Sequence, residues 1–233
     1  MIELINFILY NQDYNLPIAI LACAIDFSKA FNKVETGVLL HKLRDSKVLG
    51  KVGVWLGTFL DSTHRQQAVA VEGRLSGLSP VISGVPQGTV LGPILFLLHI
   101  SSIEREVSPE STVSSYVDDT MVTRCVTNSL SDCQGLQQDL QAVYRWAEEV
   151  NMVFNGDKFE VLRFWPGPTP RPNNSYCDPD GNTIEVKDNL RDLGVQISSD
   201  LTFSTHIENV VAAATRMTGW VCRRRSRTLM LTA

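Results

Sequence analysis

From Ile18 to Ile25 the chain is apolar with no polar alternate, the pattern of a strand buried on both faces, and the run ends on Asp26. A short turn through Ser28 to Phe31 follows. Leu39, Leu40 and Leu43 then recur at helical spacing between Thr36 and Val48, and Trp55, Leu56, Phe59 and Leu60 mark a second helix after breaks at Gly50 and Gly53. Gln67 to Val71 alternates like a strand, with Glu72-Gly73-Arg74 as its hairpin turn. An apolar helix is predicted from about Thr89 to Ile100, with Pro93 near the first turn, where a missing N–H costs least. Ser114 to Val117 and Thr120 to Val126 read as two short strands with Asp118-Asp119 in the turn between them. A long helix spans Leu130 to Glu149 and carries Leu136, Leu140, Val143 and Trp146 on one face. Beyond it lie a strand from Phe159 to Phe164, a Pro-rich connector from Pro166 to Pro172 and a turn at Asp180-Gly181-Asn182. A strand around Leu193 to Ile197 and a final helix from about Thr205 to Arg225 complete the chain. Strands and helices in this irregular order predict an α+β fold, a sheet with helices packed on one face.

Composition narrows the picture. With 44% hydrophobic residues over 233 positions the chain can bury a sizeable core, which excludes a disordered tail as the main reading. The net charge of -4 gives no overall attraction to a polyanion, so any nucleic-acid surface must be local. Basic residues concentrate in Arg216 and the run Arg223-Arg224-Arg225-Ser226-Arg227, which reads equally as a solvated helix end or as a phosphate contact. The five cysteines are scattered and form no Cys-x-x-Cys pair, so neither a zinc site nor a disulfide framework is indicated, and a reducing compartment fits. Glu3 stands where a secretory signal would be basic. The apolar run Val90 to Ile100, interrupted by Gly92 and Pro93, is shorter than the ~20 residues that cross a bilayer. A soluble intracellular chain is the expectation.

The chemistry resides in acids. Asp118 and Asp119 are adjacent in an apolar, β-branched context, where two negative charges raise one another's pKa unless a cation compensates. A divalent metal resolves that conflict, and magnesium, which takes oxygen ligands and keeps waters and phosphates in its shell, needs only a few carboxylates and no histidine. Paired Asp is also ordinary turn chemistry. Asp26 changes the balance, because it closes a buried strand where a lone charge is costly. If that strand lies beside the hairpin, three carboxylates meet at one sheet edge, as two-metal phosphoryl transfer requires. A metal-dependent phosphatase or nuclease of another kind would explain the acids alone.

Three motifs are more specific. Asp26-Phe27-Ser28-Lys29-Ala30-Phe31, then Ser83-Gly84-Val85-Pro86-Gln87-Gly88-Thr89-Val90-Leu91-Gly92-Pro93, then Tyr116-Val117-Asp118-Asp119-Thr120 resemble successive signature motifs of reverse transcriptases from LINE-type, jockey-like (non-long-terminal-repeat) retrotransposons. Trp146, Asn151, Phe154, Asn155 and Lys158 resemble that group's fourth block. Leu193-Gly194-Val195, Asp200-Leu201 and His206-Ile207 resemble its primer-grip region. The resemblance runs from about Ala24 to Arg225.

It implies a polymerase palm built on an antiparallel sheet, catalysing template-directed addition of deoxynucleoside triphosphates to a DNA primer on an RNA template, with two Mg2+ (or Mn2+) ions. By the same resemblance Asp26, Asp118 and Asp119 bind the metal ions, with the Phe27 main-chain carbonyl completing a shell. Phe31 lies under the sugar and excludes a ribose 2′-hydroxyl, with core packing as its rival role. Gln87 and Gly88 contact the incoming nucleotide and template. Lys158 sits near the triphosphate, or is a solvated surface lysine. Tyr116 is expected to pack beneath the hairpin, and His41, His64, His99 and His206 show no ligand spacing. The implied organisation is a palm core over 1–165 with fingers missing upstream, a connector over 166–175, and over 176–233 a primer-grip-like hairpin leading into a helix that starts the thumb. Asn32 stands where the group usually has Asp, Ser101-Ser102 where Asn-Asp is common, and Val117 in place of Ala. With Asp26 so near the start, the expected alternative is a catalytically inactive relic that keeps the fold and binds RNA or a partner through Arg223 to Arg227.

Overall fold

The computed structural model describes residues 19–117, 119–126, 130–155, 158–164 and 175–230. Asp118, residues 166–174 of the connector, and the side chains of Arg224, Arg225 and Arg227 lie outside the described set.

The chain forms β1 (Ala19–Asp26), the single turn α1 (Ala30–Lys33), α2 (Thr36–Asp45) and α3 (Gly50–Leu60). Four two-residue strands follow, β2 (Gln66–Gln67), β3 (Ala70–Val71), β4 (Arg74–Leu75) and β5 (Ser79–Pro80). Then come α4 (Leu91–Ile100), a 3-10 turn (Ser101–Arg105), β6 (Ser111–Tyr116), β7 (Asp119–Val126), α5 (Leu130–Glu149) and β8 (Glu160–Phe164). The last elements are β9 (Tyr176–Cys177), β10 (Thr183–Lys187), β11 (Asn189–Asp192), β12 (Val195–Ser198) and α6 (Ser204–Met230).

The unbroken apolar run of β1 sits inside a six-stranded sheet of order β6-β7-β1-β8-β10-β9, antiparallel to both neighbours. Its two faces meet different partners. Cys23 and Ile25 join Val122 and Val161 beneath α5, which contributes Leu136, Leu140 and Val143, and beneath α4, which contributes Leu95, Phe96 and Ile100. Ala24 faces the other way, with Met121, Leu162 and Phe164, and is covered by Leu190 and Ile197 of the β11–β12 hairpin. Helices therefore pack on one face, as the sequence predicts. The sheet is not wholly antiparallel: β10 runs parallel to β8, because β9 takes the outer edge and reverses the chain before β10 enters.

Two differences from the sequence reading have local causes. Gly50 and Gly53 belong to α3 and do not precede it. A Cβ on Gly53 would lie 2.7 Å from the Val48 carbonyl oxygen, so the glycine lets the helix close against the turn before it. β7 also reaches one residue further toward the tip, so that Asp119 is its first residue and not part of the turn, while β6 ends at Tyr116 and leaves Val117 in the turn.

A buried ion pair fixes the β6–β7 hairpin to the helical layer. Arg124 on β7 points to α5 and donates from Nη1 to Asp139 Oδ2 at 2.9 Å, while the Ser108 N–H donates to Asp139 Oδ1 at 2.8 Å and Ser111 Oγ to Oδ2. Gly135 makes room for this network: a Cβ there would fall 2.5 Å from Arg124 Nη2. None of the described helices is long and apolar enough to cross a membrane.

Candidate active site

The sheet register sets the site. β1 and β7 pair so that Asp26 lies directly opposite Asp119, and β6 pairs with β7 so that Tyr116 also lies opposite Asp119. Directly opposed residues of antiparallel strands have Cα atoms about 4.5–5.5 Å apart and side chains on the same face. Asp26 and Asp119 are thus adjacent on the face where the helices do not pack, at the end of the sheet. Val117, at the hairpin tip, has φ 59. Tight two-residue hairpins require this left-handed backbone, which a β-branched side chain adopts only at a cost.

Two groups hold Asp26 from the strand's other side. Lys158 Nζ lies 3.0 Å from Asp26 Oδ2, and Asn155 Nδ2 donates to the same oxygen at 3.3 Å. The main chain continues the attachment, with Asn155 N–H donating to the Asp26 carbonyl and Ser28 N–H to the Val153 carbonyl, each at 2.8 Å. These two bonds bracket the bridge between Phe27 and Phe154. In that pattern the N–H and C=O of Phe27 point away from Phe154, toward the β7 side. The Phe27 ring goes into the core, stacked on Phe154 at 5.1 Å and edge-on to Trp146 at 6.2 Å.

A groove of about 870 Å³ runs over this face, lined by Asp26, Asp119, Tyr116, Lys158, Arg191 and Asp192 among others. Asp26, Asp119 and Lys158 are therefore brought together. Phe31, on α1, and Gln87 and Gly88, in the loop before α4, are not among its lining residues. Phe31 is half-buried and stacked on Phe96 at 4.8 Å. Gln87 Nε2 donates to Asn32 Oδ1 at 3.0 Å, Ser83 Oγ to the Asn32 carbonyl at 2.9 Å, and the Gly84 and Val85 N–H groups to the carbonyls of Val34 and Phe31. Gly84, with φ 84, is obligatory: a Cβ would lie 2.7 Å from the Phe31 oxygen. Gly88, with φ 77, faces open space.

Tyr116 corrects an expectation. It is 64% exposed and lines the groove. Pairing with Asp119 places it on the open face, not under the hairpin. Sequence reasoning also missed Arg191 and Asp192, because it started the last strand at Leu193; Leu193 and Gly194, both at positive φ, are the turn between β11 and β12. Asn155 was matched to a motif without a role, and its bond to Asp26 supplies one.

The sheet order, the single helical layer and the open face opposite it are those of an α+β polymerase palm. The fold is similar to that of apo telomerase from Candida tropicalis truncated from its C-terminal domain, with a TM-score of 0.55 over 83% of this chain and 36% of that one, at 12% identity. Telomerase from the same organism in complex with a fragment of telomeric RNA gives the same score at 11% identity, over 87% of this chain and 32% of that one. The chain belongs to the family described as Reverse transcriptase (RNA-dependent DNA polymerase), whose pattern matches residues 13–197. It is 32% identical over 195 residues to the RNA-directed DNA polymerase from mobile element jockey of Drosophila melanogaster, covering 81% of this chain and 21% of that protein. The jockey polymerase of Drosophila funebris is 26% identical, over 88% of this chain and 23% of that protein. The chain thus spans about a fifth of the length of these relatives.

Proposed function

We propose that this chain is the palm of a retrotransposon RNA-directed DNA polymerase, which adds deoxynucleoside triphosphates to a DNA primer on an RNA template. The observation that carries the reading is the cross-strand pairing of Asp26 with Asp119. Two carboxylates forced onto one sheet face repel each other unless a cation lies between them. The donors offered are oxygens alone, which suits Mg2+ or Mn2+ and disfavours zinc.

Asp26 and Asp119 would hold two such ions, together with Asp118 and the Phe27 carbonyl, which is directed to that side. When bound, the ions supply charge stabilisation at the attacking 3′-oxygen and at the leaving pyrophosphate. The chain's own groups do the rest. Lys158 neutralises Asp26 in the resting site and, being 58% exposed, can turn toward a triphosphate, screening its charge or donating a proton to pyrophosphate. Asn155 keeps Asp26 oriented while Lys158 moves. Phe31, braced by Phe96, gives a rigid wall against a 2′-hydroxyl, and Gln87 and Gly88 border the incoming nucleotide.

The silent-relic alternative draws no support from the geometry, since Asp26 and Asp119 are present and opposed. Primer extension on an RNA template with Mg2+ or Mn2+ tests the reading. Extension is expected from the chain fused to the upstream segment of a jockey-type relative, and Asp26→Asn or Asp119→Asn should lower it by on the order of 10³-fold with folding unchanged. A folded fusion that stays inert, or variants as active as the parent, would refute it.

A further inference from the structure

We infer that Arg65 is a positioning residue, which fixes the Gly84–Gly88 loop at the height where it meets the nucleotide. Arg65 follows α3 and is half-buried. Its own backbone is pinned, because its carbonyl accepts from Val81 N–H at 2.9 Å and the next two residues pair with β5. From this fixed base its side chain reaches 19 positions along the chain, and Nη1 donates to the Gly84 carbonyl at 2.7 Å.

That carbonyl sits at a decisive point. Gly84 N–H is already committed to the Val34 carbonyl at 2.7 Å, and Val85 N–H to Phe31 at 2.9 Å, so one side of the loop is tied to α1 and the turn after it. On the other side the Gly84 carbonyl is held, among the described residues, by Arg65. With φ 84 and Asn32 Cα only 2.8 Å from where its Cβ would be, Gly84 has no side chain to hold it. Arg65 therefore clamps the peptide from which Val85, Pro86, Gln87 and Gly88 extend. A lysine has the charge but not the planar, laterally placed donors, so it restores the contact only in part.

The inference rests on the reading that Gln87 and Gly88 border the nucleotide, and two measurements separate it from that reading. The first is amide hydrogen exchange of the chain itself, which requires no activity. Arg65→Met should speed exchange at Gly84 and Val85 by about tenfold, the worth of one hydrogen bond to a charged donor, with β1 and β7 amides unchanged; Arg65→Lys should fall between. The second is steady-state extension by the fusion described above. Arg65→Met should raise KM for the deoxynucleoside triphosphate by about tenfold and change kcat by less than about twofold, a split that general loss of stability does not give. Unchanged exchange at Gly84 and Val85 overturns the clamp whatever the activity. Faster exchange with an unaltered KM overturns its role in nucleotide binding. An inert parent fusion with faster exchange in Arg65→Met condemns the polymerase reading and leaves the clamp standing.

Discussion

Lys42 ties α2 to the end of α4 and to the 3-10 turn that follows it. It lies on α2 and donates to the His99 carbonyl and to Ser102 Oγ, the latter at 2.7 Å, with its ammonium 5.7 Å from the centre of the Trp146 ring. Trp146 Nε1 donates to the same Ser102 oxygen at 2.8 Å. Ser102 offers these two donors a neutral hydroxyl oxygen, which supplies no counter-charge to the ammonium. Burial pushes the Lys42 pKa down to about 8, Arg105 adds to the fall, and Glu106 opposes it. A lysine depressed in the folded state binds fewer protons than the unfolded chain between pH about 8 and its ordinary value near 10.4. Stability should therefore rise with pH across that window. Thermal melts of Lys42→Met should lack the rise, and Ser102→Asp should return the lysine to its ordinary range; a slope identical in all three proteins would contradict the assignment. His99 behaves in the same sense at lower pH. Burial first, then the charge of Lys42, lower its pKa to about 4, so its contribution falls as pH drops from about 6.5 toward 4.

The buried pair makes a second prediction at this scale. Asp139→Ala leaves Arg124 buried without its carboxylate and should cost about 3–5 kcal/mol in urea unfolding, whereas a loss below about 1 kcal/mol would mean that water reaches the site. Gly135→Ala should be destabilising by about 1–3 kcal/mol, since the guanidinium 2.5 Å from the new methyl has no room to retreat under α5.

Among the elements, those with strong periodicity were legible in the sequence. α5 begins and ends where its apolar face predicts, and β1 falls within one residue of the unalternating run. The two-residue strands β2 to β5 were not separable, because their residues are exposed and no buried face imposes a register. The turn between β3 and β4 was legible all the same: Glu72 and Gly73 both have positive φ, as a two-residue hairpin demands. The cross-strand pairing of Asp26 with Asp119 could only be posed as a condition, since pairing is set by the whole length of β1 and β7 and not by either acid. Arg65 was invisible for a similar reason. Its partner is a backbone carbonyl, which leaves no mark on the sequence.

At the scale of the molecule, the division of labour follows the two faces of the sheet. The helical face holds nearly all the large buried side chains and fixes the hairpin through Arg124 and Asp139, while among the described residues the opposite face is covered where β11 and β12 cross it. The strand ends bearing Asp26 and Asp119 line the groove together with Arg191, which gathers carboxylate oxygens at its rim. Manganese binding, followed by the loss of the free-ion electron paramagnetic resonance signal as the chain is titrated in with a deoxynucleoside triphosphate, addresses that rim directly. The account predicts that the wild-type chain depletes the signal beyond the nucleotide alone and that Asp26→Asn and Asp119→Asn each abolish the excess; equal depletion by both variants and the parent would contradict it.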